Sequence, residues 1–437
     1  MGGVRAEAHA KISRLRKGLK SGGELQFVET FACQSGYALR NCDIAANRGH
    51  GIRKTMKLFQ CQNCGQPLHF ENTRCERCGL SLGYLPERET ITALKPEGEL
   101  ADGAPQAWRA LADSRTYRHC ANAAHDVCNW LVPATASESY CAACRHNRII
   151  PDLSLPENLA RWRALEGAKH RLFYTLIQLR LPVETQSENP GGLAFQFLAD
   201  VGPAQPAVLT GHAKGVITIN LAEADDPERE RRRQQMGELY RTLLGHFRHE
   251  IGHYYWDRLI RDSPHLEDFR SVFGDERQDY DSALQNYYAN GAPADWSERF
   301  ISAYASSHPW EDFAETWAHY FHMIDTLETA HVVGLAVSPK LPESPGAVFD
   351  FHPRETDMNR LVEAWVALTF AVNSLNRSMG LPDLYPFVLG AGAVAKLSYV
   401  HSLIKNVGAK SPSTATTASR SRREPQTGRR LPRSQSL

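Results

Sequence analysis

The 437-residue chain contains no run of 18 apolar residues, so nothing in it reads as a membrane-spanning helix. Its most apolar stretch, Leu384 to Val400, is broken by Pro386, Gly390, Gly392 and Lys396. The opening MGGVRAEAHAKISRLRKGLKSGG lacks the apolar centre of a signal peptide. Met1-Gly2-Gly3 begins like a myristoylation site, but Ala6 stands where that pattern needs Ser or Thr. Neither sign of charge is in excess. A formal net charge of +1 gives no reason to expect a polyanionic partner. There is no repeat of fixed period apart from two groups of cysteines. The composition, 42% hydrophobic and 23% charged, is that of a globular protein with enough apolar material for a core. Its length suggests two or three domains.

What the chain does have is cysteine and histidine in groups. Eight of its ten cysteines form two sets. Cys61-x2-Cys64 and Cys75-x2-Cys78 are two knuckles of a tetrahedral four-thiolate zinc site. Gly65 and Gly79 follow the knuckles, where the chain must turn sharply. Cys120, Cys128, Cys141 and Cys144 form a looser second set, in which His119 or His125 could replace a cysteine. Free thiolates imply a reducing compartment, hence a cytoplasmic protein. A closed four-ligand site leaves no position for substrate, so both sets predict structural zinc, with the ribbons available for protein docking. Residues 57–92 balance Lys57, Arg74, Arg77 and Arg88 against Glu71, Glu76, Glu87 and Glu89, which argues against nucleic acid. Cys33 and Cys42 are left over.

These textures predict an α+β chain, with N-terminal zinc-ribbon modules followed by a mainly helical domain with a small sheet. Residues 1–55 read as an extension, 56–150 as the double ribbon, 151–404 as the main domain and 405–437 as a disordered basic tail. Leu159, Trp162, Leu165, Leu172, Phe173 and Leu176 recur at helical spacing over 157–180. Residues 191–202 and 215–224 read as strands, with Val216–Leu221 expected at the sheet edge, where it could pair with an extended peptide. Asp226-Pro227 should open a helix running to about Ile260. Residues 261–300 read as loop-rich. Helical texture returns over 310–327 and 355–378.

The predicted helix up to Ile260 carries His249-Glu250-Ile251-Gly252-His253. Histidines four apart share one helical face and supply two imidazole ligands to zinc. Zinc lowers the pKa of a bound water to roughly 7. Glu250, next to the first ligand, is placed to accept that water's proton and pass it to the leaving amine. Gly252 lets another segment come close. For the third ligand the best candidate is Trp310-Glu311-Asp312-Phe313-Ala314-Glu315. Its Glu311 and Glu315 share a face with small Ala314 and Ala318, which suits close packing on the first helix. Glu311 would bind metal and Glu315 would accept from a ligand histidine. His319 and His322 remain alternatives.

HExxH followed by a helix with E-x-x-x-E resembles the gluzincin metallopeptidases. EDFAE, with Tyr304 seven residues before Glu311, is similar to their lethal-factor-like branch, where the tyrosine stabilises the oxyanion. From Met56 to about Ser402 the chain resembles the bacterial zinc-binding metallopeptidases with an N-terminal zinc ribbon. That resemblance implies a zincin-type metallopeptidase domain over 151–404, His249, His253 and Glu311 as ligands of one catalytic zinc, catalytic Glu250 and Tyr304, one or two structural zincs, and a peptide or protein substrate. Two other functions compete. One is a zinc-ribbon binding protein with an inactive peptidase-like domain, against which intact Glu250 argues. The other is a DNA-associated protease, but those usually use a third histidine where this chain offers EDFAE.

Overall fold

The computed structural model describes residues 58–98, 106–200, 208–236, 241–340 and 343–410. Cys33, Cys42, the extension 1–55 and the tail beyond Lys410 lie outside the described residues.

The first elements are a hairpin, β1 (Phe59–Gln60) and β2 (Pro67–Leu68), closed around the first cysteine knuckle. A five-stranded antiparallel meander follows: β3 (Ser81–Leu85), β4 (Thr90–Pro96), β5 (Trp108–Ala110), β6 (Thr116–His119) and β7 (Leu131–Pro133). In β4 the residues Thr90 to Leu94 are buried on both faces, so the strand lies inside the structure. Tyr84 of β3 bridges Trp130, just before β7, so the meander curls back on itself.

Three residues after Cys144 the chain enters a second sheet. β8 (Asn147–Ile149), β9 (Ala194–Leu198), β10 (Gly211–Ala213) and β11 (Val216–Asn220) are arranged in the order β10-β11-β9-β8. β8 and β11 both run parallel to β9, and β10 is antiparallel to β11. Ile217 and Ile219 are fully buried, as their alternation predicts. The expected edge position of Val216–Leu221 is corrected. Gly211–Ala213 folds back to cover β11 and is itself the edge strand.

Helix α1 (Pro156–Gln178) begins with proline in its first turn and buries Trp162, Leu165, Leu172, Phe173 and Leu176. The single helix expected after Asp226-Pro227 is instead two. α2 (Asp226–Met236) is charged and has no apolar stripe to bury. α3 (Leu243–Leu259) starts afresh because the Thr242 side chain accepts the Gly245 N–H at 3.0 Å, satisfying a helix-terminal donor. The stretch 261–300, expected to be loop-rich, holds three helices: α4 (Leu266–Phe273), α5 (Tyr280–Asn290) and α6 (Trp296–Arg299). α5 is capped by Asp279, whose carboxylate accepts the Ser282 N–H.

The central helix is α7 (Pro309–Val333), buried around most of its circumference. α8 (Met358–Ser378) and α9 (Ala391–Lys410) pack against it. α9 continues to Lys410, so ordered structure passes the expected tail boundary at 405. One connected apolar core extends from Phe59 in β1 to Ile404 in α9. Fully buried aromatics such as Trp130, Trp162 and Trp317 anchor it, each contributing on the order of 1.5–3 kcal/mol. The architecture is the predicted α+β arrangement, a zinc ribbon followed by a mostly helical domain with a small sheet. Among the described residues no helix is long and apolar enough to cross a membrane.

Candidate metal centre

α3 and α7 cross at unusually short range. A Cβ built on Gly252 would lie 2.9 Å from Ala314 Cα and 3.2 Å from the Ala314 carbonyl oxygen. The glycine and the alanine therefore bring the two helix backbones together. That contact places one turn of each helix face to face.

Three donor atoms meet there. His249 Nε2 is 3.1 Å from His253 Nε2. Glu311 Oε2 is 3.1 Å from His249 Nε2 and 3.4 Å from His253 Nε2. Ligands of a tetrahedral zinc with bonds of about 2.0–2.1 Å are separated by roughly 3.4 Å, so this set has the spacing of a zinc site. Charge gives a second test. Glu311 is 1% exposed, and its Oε2 faces the two ring nitrogens, which give it a donor only if they carry protons, with no other hydrogen bond among the described residues. A buried carboxylate oxygen without a donor is costly, and a cation would satisfy it.

The surroundings hold these three side chains in place. His249 Nδ1 donates to Glu315 Oε1 at 2.8 Å, so a neutral His249 turns its Nε2 lone pair toward Glu311. Ser302 Oγ donates to Glu315 Oε2 at 2.6 Å. Tyr280 donates its phenol proton to Glu311 Oε1, also at 2.6 Å. Trp310 packs on the His253 ring, with centroids 4.2 Å apart. Burial opposes charge on His249, but Glu311 and Glu315 outweigh it and raise its pKa well above 6.5. Burial likewise opposes the Glu315 carboxylate, but the His249 hydrogen bond pulls its pKa down to about 2. Groups that stabilise a proton here would equally stabilise a metal cation.

A cleft of about 400 Å³ opens on this cluster, lined by Glu250, Tyr304, Tyr287 and Trp296 among others. Glu250 is buried, with an Oε2 that makes no hydrogen bond among the described residues. Tyr304 begins a 3-10 turn just before α7, and its ring centroid is 6.1 Å from that of His249. The alternative ligands lie apart from the cluster. His319 Nδ1 is hydrogen-bonded to the Tyr385 hydroxyl at 2.7 Å, and His322 Nδ1 contacts Arg248.

Both cysteine sets also converge. Cys61 and Cys78 Sγ are 3.7 Å apart, Cys64 and Cys75 Sγ 3.6 Å, and Cys128 and Cys141 Sγ 3.7 Å. Four sulfurs at about 2.3 Å from a zinc ion sit roughly 3.8 Å from one another. Gly65 and Gly79 take φ of +75° and +74°, and each donates its N–H back to the first cysteine of its knuckle. His119 and His125 do not enter the second set. Their rings pack against Trp108 and Trp162.

Residues 158–403, more than half of the chain, match the family described as "Putative zinc-binding metallo-peptidase". The chain belongs to this zinc-binding metallopeptidase family. Residues 58–155 match a zinc-ribbon domain. An "Uncharacterized protein Rv2568c" of Mycobacterium tuberculosis is 41% identical over 354 residues, covering 80% of this chain and 96% of the relative. An "Uncharacterized protein Mb2598c" of Mycobacterium bovis is similar to the same extent. No solved structure matches. Sequence reasoning missed Tyr280 and Ser302, which reach this cluster only through the fold. The Asp279 cap was a legible local signal, since it starts the helix that delivers Tyr280.

Proposed function

We propose that this metallopeptidase is an active zinc-dependent peptidase, hydrolysing peptide bonds in the cleft above His249, His253 and Glu311. The observation that carries the reading is the meeting of two imidazole nitrogens and one buried carboxylate oxygen at zinc-ligand spacing. Zinc held there would supply Lewis-acid activation of water and of the scissile carbonyl.

The chain's own residues do the rest. Glu250 follows the first ligand on the same helix and lines the cleft, so its free Oε2 is the proton acceptor for the attacking water and then the donor to the leaving amine. Tyr304 faces the same cleft, where its hydroxyl would donate to the oxyanion. Glu315, with Ser302 behind it, fixes the His249 ring, and Tyr280 fixes Glu311. The lethal-factor-like arrangement in EDFAE is part of this proposal.

The test is Glu250→Gln assayed on a peptide library. The variant should keep the zinc content and thermal stability of the parent while hydrolysis falls by two or more orders of magnitude, as expected for a lost general base. Full activity in Glu250→Gln would overturn the mechanism.

A further inference from the structure

The second cysteine set differs from the first in where it sits. Cys64 and Cys78 of the first set are partly exposed, whereas Cys120, Cys128, Cys141 and Cys144 are all buried. A divalent zinc ion on four thiolates carries a net charge of −2. Such a charge, buried, needs hydrogen-bond donors around it.

Three sulfurs receive backbone amides. Cys141 N–H points at Cys120 Sγ, Trp130 N–H at Cys128 Sγ and Cys144 N–H at Cys141 Sγ, each at 3.4 Å. At Cys144 the ring nitrogen within reach is different. His170 Nε2 lies 3.6 Å from Cys144 Sγ and 3.4 Å from Cys128 Sγ. His170 belongs to α1, inside the stretch that matches the peptidase family, and is 26 residues beyond Cys144. Its ring packs on Trp130, with centroids 5.2 Å apart.

α1 also manages the charge beside it. Glu166 Oε2 is 3.7 Å from Cys144 Sγ, which alone would set a carboxylate against a thiolate. Lys169 Nζ lies 2.9 Å from that same oxygen, and both side chains are fully buried. Asn147 and Trp162 donate to Glu166 Oε1 at 2.6 and 3.0 Å. The lysine therefore neutralises the glutamate, and the imidazole is left to serve the sulfurs.

We propose that the second cysteine set is a metal site that ties the ribbon to α1, completed by His170 of that helix through N–H to sulfur hydrogen bonds to Cys128 and Cys144, so that its zinc leaves only when α1 separates from the ribbon. The first site, with two sulfurs partly exposed, loses its zinc without that separation. This inference does not depend on whether the cleft hydrolyses peptides.

The test uses the full zinc-loaded chain and a chromogenic chelator, with Cys61→Ser and Glu311→Ala identifying the release phases of the first ribbon site and of the α3–α7 site. In the parent, the remaining zinc should be the slowest to leave, and in rising urea its release should track the loss of tryptophan fluorescence of the folded chain. His170→Leu should release that zinc 10–100-fold faster, the range for a lost partner of a metal ligand, and leave the other two phases unchanged. His170→Gln, which keeps an N–H donor, should fall between. Cobalt substituted at this site should show a displaced sulfur-to-metal charge-transfer band in His170→Leu. An unchanged release rate and band in that variant would overturn the proposal. If His170→Leu does not fold, the parent decides alone: release of this zinc as early as that of the first site, before the fluorescence change, overturns it.

Discussion

Replacing Gly252 with alanine sets two known effects against each other at the heart of the α3–α7 site. In an ordinary helix interior, Gly→Ala stabilises by about 1 kcal/mol. Here the new Cβ would be 2.9 Å from Ala314 Cα, 3.2 Å from its carbonyl oxygen and 3.2 Å from Trp317 Cβ. Carbon atoms prefer separations of about 3.5–4.0 Å, and the first obstacle is backbone, which cannot rotate away. Overpacking of this kind costs roughly 1–3 kcal/mol, so the net change is a loss of roughly 0–2 kcal/mol. The effect on metal should be larger than the effect on folding. If the helices part by about 0.5 Å to restore contact distance, the histidine-to-Glu311 separations, now 3.1 and 3.4 Å, open beyond the roughly 3.4 Å of tetrahedral ligands. Gly252→Ala should therefore hold its α3–α7 zinc at least about tenfold more weakly, while both cysteine sites keep theirs. Chelator competition on the purified variant, beside calorimetric unfolding, measures both quantities. A variant that unfolds at higher temperature and binds this zinc as tightly as the parent would refute the claim that the helix crossing sets the ligand spacing.

The remaining expectations concern single groups. Glu311→Ala should yield protein without the α3–α7 zinc but with both ribbon zincs, and Glu315→Ala should bind that zinc roughly 10–100-fold more weakly, both by metal analysis; loss of the zinc in His319→Ala instead would move the third ligand to that histidine. Tyr280→Phe removes the phenol that donates to Glu311 and should weaken zinc binding by about tenfold in chelator titrations, the scale of a hydrogen bond to a charged group. Cys61→Ser should release one zinc and unfold the first knuckle pair alone, seen as amide exchange confined to β1 and β2 and their loops, because metal supplies the folding free energy there. Burial lowers the His319 pKa from 6.5 to about 4. A group depressed in the folded state adds stability above its unfolded value, so this contribution is complete above pH 6.5 and disappears as pH falls toward 4, amounting to at most about 3 kcal/mol. Denaturant titrations across that window should be less steep in pH for His319→Gln than for the parent.

The features legible in the sequence are those whose partners are near neighbours along the chain. His249 and His253 are one helical turn apart, and each CxxC knuckle closes within a few residues, so spacing alone reveals them. Glu311 could be found because Ala314 and Ala318 mark a face meant for close packing. The misreadings have equally physical causes. β10 has three residues, Gly211–Ala213, too few to show alternation, so β11 was assigned the edge. α2 and α3 ran together because polar Asp226–Met236 and apolar-striped Leu243–Leu259 are both helical, and the Thr242 cap between them is a single residue. Tyr280 and His170 were invisible for another reason. Their partners are 31 and 42 residues away, and a lone tyrosine or histidine carries no mark of what tertiary packing will bring to it.

The continuity of the core has a consequence for how the chain is made. Phe70, Tyr84 and Trp130 of the ribbon pack on one another and on Tyr174 of α1, with the Phe70 and Tyr174 ring centroids 5.8 Å apart. Synthesis proceeds from the N-terminus and early domains tend to fold first. The ribbon can close its first knuckle pair around zinc as soon as Cys78 has emerged. Its aromatic face is complete only once Trp130 has been made, and it then stays uncovered until the ribosome has delivered Tyr174 of α1, 44 residues later (174 − 130). During that interval the nascent chain exposes a patch of tyrosine and tryptophan that only its own later sequence can cover. A translational pause that holds the chain after Trp130 has emerged and before Tyr174 has emerged would lengthen this exposure, and one placed once Tyr174 has emerged would not.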